Sequence, residues 1–324
     1  MMKKSILALV CVAVVVVLSV RCCVLSVAGR AAAEAGADPA LVSELQARVE
    51  TLCAAPRYGA TLLRARDYIR HELEAAGWSV RLQEFENKEG VFYNVVAERP
   101  GRQGAGRYII GAHYDACDSL PDAVNPGADD NASGVAVLLA VAKRLPAQPE
   151  STLELVFYAC EEPPWFGTEE MGSAHHAASC RPEEVRGMVC LEMLGCFRHD
   201  GQPARSYFPG SRLLLPAEEN YVAVIGDWGS FSLARQAHAA LRRRLPALRL
   251  NLPCAHDTPL WFSDHRNYEP LGIPSIMITD TAMLRNDHYH LASDTPDSLC
   301  YPCMGRVAEA VVELICRLAY APSS

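Results

Sequence analysis

Polar and apolar positions repeat along this chain with two periods, and the points where the period changes divide it into elements. Apolar residues at three- and four-residue spacing predict helices over about 39–53 and 60–76, the second stopped by Gly77. Alternation then predicts strands over 79–86 and 92–98, and the continuous apolar run RYIIGA predicts a buried strand over 107–112. A helix over 133–145, a strand over 152–159, a short helix near 172–178 and a strand over 187–194 follow. The later half predicts a strand over 221–225, a helix over 231–245, a strand over 274–279 and a closing helix over about 304–320. Strands as apolar as YIIGA and LELVFYA, alternating with helices, predict an α/β fold. Its three layers are a central, mostly parallel mixed sheet and the helices that cover both faces.

In such a sheet, ligands bind beyond the carboxyl ends of the strands. Chemistry-bearing residues stand at those ends here. RYIIGA runs into His113-Tyr114-Asp115, LELVFYA into Cys160-Glu161-Glu162, GMVCL into Glu192, and PSIMITD into a loop with His288 and His290. A glycine-flanked turn, PGADDNASG, places Asp129 and Asp130 just before the helix over 133–145, with Asn131 and Ser133 as good helix caps. Zinc takes imidazole nitrogen and carboxylate oxygen, and two zinc ions about 3.5–4 Å apart can share one carboxylate and one water. The strand ends hold that inventory, with one acid to spare as a base. Glu161 and Glu162 are adjacent, so their side chains diverge and suit a split of roles. Asp115, two residues after His113 on an extended strand, points the same way and can hold its imidazole.

Composition limits the alternatives. The chain has 324 residues, half of them hydrophobic, and no compositional shift after the first thirty or so, which predicts one catalytic domain over 38–321. A net charge of −8 excludes nucleic acid as the main partner. Residues 1–33 open with Lys3 and Lys4, continue with the apolar run from Ile6 to Val20, and end in small residues, the pattern of a signal peptide; an uncleaved N-terminal membrane anchor is the second reading. Either exports the domain, and any membrane attachment is through this segment alone. Thirteen cysteines allow some pairing in an exported chain, and Cys300 and Cys303, at CxxC spacing with no second CxxC, fit a local disulfide or simple burial better than a metal. His175 and His176 read as surface residues of a short helix, and His265 as structural or on the substrate side.

Together HYD at 113–115, GADDNASG at 127–134, EE at 161–162, SDH at 263–265 and DHYHLASDT at 287–295 resemble metallopeptidase family 28, the co-catalytic zinc exopeptidases of the bacterial leucyl aminopeptidase type. The resemblance runs from about Tyr68 to Leu314, in the family's order and at compatible spacings. It implies the zinc exopeptidase fold, two Zn2+ ions and a peptide substrate. It implies that His113 binds one zinc, that Asp130 bridges both, that Glu162 is a terminal ligand, and that Glu192 is the terminal ligand of the other zinc with His290 as its histidine. His290 is preferred to His288 because the family's ligand precedes a short segment ending in Asp-Thr, here Asp294-Thr295. Glu161 becomes the general base, Asp115 and Asp294 supporting residues, and Asp129 a turn and cap residue. Many family aminopeptidases have Asp where this chain has Glu192. The implied reaction is removal of N-terminal residues by a water between the zincs. The alternative is a glutaminyl cyclase-like acyl transferase that uses a single zinc on Asp130, Glu162 and His290.

Overall fold

A computed structural model describes residues 25–28, 36–118, 123–198, 216, 218–252 and 261–320. The segment read as an export signal or anchor, 1–33, therefore lies outside the described residues except for 25–28. Its strands are β1 (Leu25–Ala28), β2 (Ser79–Asn87), β3 (Gly90–Arg99), β4 (Arg107–His113), β5 (Thr152–Tyr158), β6 (Val185–Glu192), β7 (Val222–Gly226), β8 (Ala247–Asn251) and β9 (Ser275–Thr279). The helices are α1 (Pro39–Cys53), α2 (Leu62–Ala75), α3 (Gly134–Arg144), α4 (Gly172–Ser179), α5 (Phe231–Leu241) and α6 (Tyr301–Ile315).

The strands form one nine-stranded sheet in the order β1-β8-β7-β9-β6-β4-β5-β3-β2. β5, β4, β6 and β9 are parallel and central. A second parallel pair, β7 and β8, joins β9 antiparallel, and β3 and β2 continue antiparallel from β5. Neighbouring residues of the central strands serve opposite cores: Ile110, Leu155 and Val189 pack with the helices α1, α2, α3, α5 and α6, while Ile109, Val156 and Met188 pack with Ala177 of α4, Tyr268 and Ile273. Burial on both faces is why these strands read as unbroken apolar runs.

The helices follow from equally local signals. Pro39 sits in the first turn of α1, Asp38 caps it by accepting from the Ala40 N–H at 3.0 Å, and Leu41, Leu45, Val49 and Leu52 form its buried stripe. Two expectations change. α5 stops at Leu241 because the chain tightens there, with Arg243 and Arg244 N–H groups bonding three residues back to Ala240 and Leu241. The strand β8 went unread beyond it, although Leu248-Arg249-Leu250 alternates. β1 pairs antiparallel with β8, so part of the segment read as an export signal or anchor lies on the sheet edge. Among the described residues, no helix is long and apolar enough to cross a membrane.

Candidate active site

The parallel centre of the sheet gathers the predicted residues at one edge. β4 ends at His113, β6 at Glu192, Glu161 and Glu162 follow β5, and β9 leads into Asp280 and the loop bearing His290. Backbone departs from ordinary conformations at these exits: Cys160, Met193 and His290 have φ of 60°, 44° and 57°. Such left-handed residues cost energy, cluster where function demands a direction, and here flank Glu161, Glu192 and His290 itself.

Asp130 stands in the middle. Its Oδ1 lies 3.2 Å from His113 Nε2 and its Oδ2 lies 3.1 Å from His290 Nε2. Glu192 Oε2 is 3.4 Å from His113 Nε2, and Glu162 Oε2 is 3.0 Å from His290 Nε2. Two donor sets thus share one carboxylate: His113, Asp130 and Glu192 on one side, His290, Asp130 and Glu162 on the other. This corrects the pairing expected from the sequence, which put Glu192 with His290; β4 and β6 are sheet neighbours, so their terminal residues meet. Glu161 Oε2 is 3.9 Å from His113 Nε2 and belongs to neither set as a close partner.

Each of these groups is fixed from behind. Asp294 accepts the Asp129 N–H (3.0 Å to Oδ1) and the Asp130 N–H (3.1 Å to Oδ2). Asp115 lies 3.5 Å from His113 Nδ1 and accepts the Glu162 N–H at 3.1 Å. Asn131 donates to the Leu191 carbonyl and accepts from the Gly134 and Met193 N–H groups, which bolts the turn to the end of β6. Gly127, at φ 59°, leaves no room for a side chain: an added Cβ would stand 2.2 Å from the Asp130 carbonyl oxygen. Asp129 is more than a turn and cap residue. Its carboxylate accepts from the Gly195 N–H and the Asn286 amide and lies against the Asp280 carboxyl.

Several supports had no sequence reading. Arg57, 1 % exposed, donates to the Tyr114, Pro126 and Gly127 carbonyls at 3.0, 2.7 and 2.7 Å and to the Asp130 carbonyl at 3.3 Å. It clamps the exit of β4 to the Asp130 turn. Ser263 donates to Glu192 Oε2 at 2.6 Å. Asp264, buried beside it, is pushed up to about 7 by that burial. Ser263 and Asp264 lie in the SDH stretch, the one signal that could have found them. His176 is buried, contrary to its reading as a surface residue. It lies 3.4 Å from Glu154 and shares a 2.7 Å hydrogen bond with the Tyr268 hydroxyl.

Electrostatics say what the cluster lacks. Burial, then Asp130, pushes Glu162 up to about 8; burial, with the nearby Glu192, also raises Glu161 well above the ordinary carboxylate range. Burial opposes ionisation of Asp130 too, yet the two imidazoles overcome it and hold that carboxylate below its ordinary value. Among the described residues, both ring nitrogens of His113, His290 Nε2 and Glu162 Oε1 are buried without a hydrogen-bond partner of proper geometry. Buried polar atoms seldom stay unsatisfied, and crowded carboxylates need a cation. His113, Asp130 and Glu192 bring donor atoms within 4.8 Å of one another, and His290 lies 3.1 and 3.0 Å from Asp130 and Glu162, so these imidazoles and carboxylates fit divalent metal. Beside the sets, Pro163, Phe166, Phe262, Met283 and Tyr289 wall a cavity of about 200 Å³ that opens onto Asp130, Glu161, Glu162, Glu192 and His290.

Known proteins are similar to this chain in sequence and in fold. The chain is 41% identical over 263 residues to the uncharacterized protein YfbL of Escherichia coli strain K12, covering 78% of this chain and 80% of that protein. It is 25% identical over 239 residues to leucine aminopeptidase 1 of Arthroderma otae, covering 71% of this chain but only 58% of that longer protein. Its fold matches an aminopeptidase from Aneurinibacillus sp. strain AM-1 with a TM-score of 0.65 at 16% identity, over 87% of this chain and 95% of that one. It also matches a glutaminyl cyclase of Bacteroides thetaiotaomicron, with a TM-score of 0.61 at 17% identity over 85% and 97% of the two chains. The pattern of peptidase family M28 spans residues 94–315. With the sheet, the strand-end donors and that match in agreement, the chain belongs to peptidase family M28.

Proposed function

We propose that this peptidase is an exported aminopeptidase that works with two zinc ions. The observation that carries the reading is the split of Asp130, one oxygen toward His113 and Glu192 and the other toward His290 and Glu162. In this reading His113, Asp130 and Glu192 hold one zinc, and His290, Asp130 and Glu162 hold the other. Zinc in these sets would act as a Lewis acid and lower the pKa of a shared water toward about 7. Glu161, close to the centre but outside both sets, would accept the proton of the attacking water. The same carboxyl would pass that proton on to the leaving amine. The cavity walled by Phe166, Phe262 and Met283 receives the side chain of the terminal residue, and its apolar lining selects apolar residues. Export rests on the pattern of residues 1–33.

The test is metal content per chain of the full-length protein, with hydrolysis of aminoacyl anilides measured on the same sample. Two zinc equivalents, chelator-sensitive cleavage of leucyl and phenylalanyl anilides, and no cleavage once their α-amine is acetylated are expected. The second reading, a cyclase-like transferase, is favoured by the likeness to a glutaminyl cyclase and by the completeness of the His290 set alone. One equivalent without cleavage would transfer the assignment to it.

A further inference from the structure

A thiol stands beside one of the two donor sets. The sulfur of Cys117, a carboxylate oxygen of Glu162 and a ring nitrogen of His290 all lie within 4.8 Å of one another. Cys117 is 2 % exposed, and Glu162 is 4 % exposed, with its Oε1 buried and without a hydrogen-bond partner among the described residues. The cysteine is not on a free loop. The Cys117 carbonyl accepts the Asn125 amide at 3.4 Å, the Asn125 side-chain oxygen accepts the Gly127 N–H at 3.0 Å, and the preceding Ala116 N–H donates to the Arg57 carbonyl at 3.0 Å. The same clamp that aims Asp130 therefore fixes the thiol.

We propose that Cys117 is a thiolate ligand of the metal that Glu162, His290 and Asp130 hold. The inference rests on the two-metal reading and adds to it a residue type that reading did not use. Binding converts the thiol to thiolate and releases its proton to solvent, while sulfur donates an electron pair to the metal. The consequence is asymmetry. Cys117, His290, Glu162 and Asp130 would make four protein donors, five-coordinate once the shared water is added, whereas His113, Asp130 and Glu192 would make three and, with that water, four. The His290 position keeps its metal tightly, and the His113 position exchanges.

Zinc K-edge X-ray absorption of the zinc-loaded full-length chain, with the Cys117→Ser variant beside it, tests the assignment. The wild type should show a sulfur scatterer at about 2.3 Å, and Cys117→Ser only nitrogen and oxygen at about 2.0–2.1 Å. Chelator release should be biphasic in the wild type, and its slow phase should quicken by about tenfold or more in Cys117→Ser. The cobalt-loaded protein gives a readout independent of zinc: a near-ultraviolet thiolate-to-cobalt charge-transfer band, lost in the variant. Bound zinc with only nitrogen and oxygen neighbours in the wild type, or sulfur that persists in Cys117→Ser, would overturn the ligand while leaving the two-metal reading intact. A chain that binds no metal would overturn both.

Discussion

Glu161 and Glu162 are adjacent in the chain and face different neighbours, and Cys160 in a left-handed conformation turns the backbone between β5 and the site. Glu162 faces His290, and Glu161 faces the space in front of His113. Glu161→Gln should therefore leave metal content unchanged and lower kcat by about 10²–10⁴-fold, the usual worth of a positioned proton acceptor. Turnover within a few fold of wild type would remove Glu161 from its role. Glu162→Ala should instead lower metal content, read by elemental analysis after dialysis.

Arg57 shows how a residue distant along the sequence can govern the site. Its buried guanidinium satisfies carbonyls on both segments that frame Asp130, so its removal leaves several buried acceptors empty. Arg57→Ala should lower stability by about 3 kcal/mol, at a usual cost of about 1–3 kcal/mol for each unsatisfied buried group. Calorimetry of the metal-free protein is the measurement, and an unchanged Tm would refute the clamp.

At the level of elements, legibility followed burial. β4, β5 and β6 were readable because both of their faces are buried, which writes them as apolar runs, and their last residues were readable because a donor directly follows each run. β8 was missed although it alternates, since buried Arg249, stacked on the Phe231 ring, reads as a surface charge until its partner is known. His176 misled for the same reason: its partners Glu154 and Tyr268 are 22 and 92 residues away along the chain. The donors of the site were legible as a set, but their division between two positions was not, because it depends on which strands are neighbours. Arg57 acts through carbonyl contacts that no spacing rule reports, and Ser263 was signalled only by the SDH stretch.

For the whole molecule, the concentration of buried acids makes stability depend on pH in an unusual direction. Burial pushes Asp280 and Asp294 up to about 7, far above the carboxylate range of the unfolded chain. A carboxyl with a raised pKa in the fold favours the fold while it is protonated. Its contribution is complete below the ordinary carboxylate range and is lost as pH rises through about 7. Metal-free protein should therefore lose thermal stability between pH 5 and pH 8, whereas most proteins gain it on leaving acid. Melting curves in chelator across that range check this, and a flat or rising Tm would contradict it. Added zinc should raise Tm in proportion to the logarithm of its free concentration, most clearly at the alkaline end.

Asp294 grips the Asp129 and Asp130 amides across 165 and 164 residues of sequence, and His290 reaches the site from the same late loop. A ribosome must therefore deliver nearly the whole chain before Asp130 is aimed and the second donor set can close. Throughout its own synthesis this peptidase is a harmless polypeptide, and the ability to cut is the last property that the growing molecule acquires.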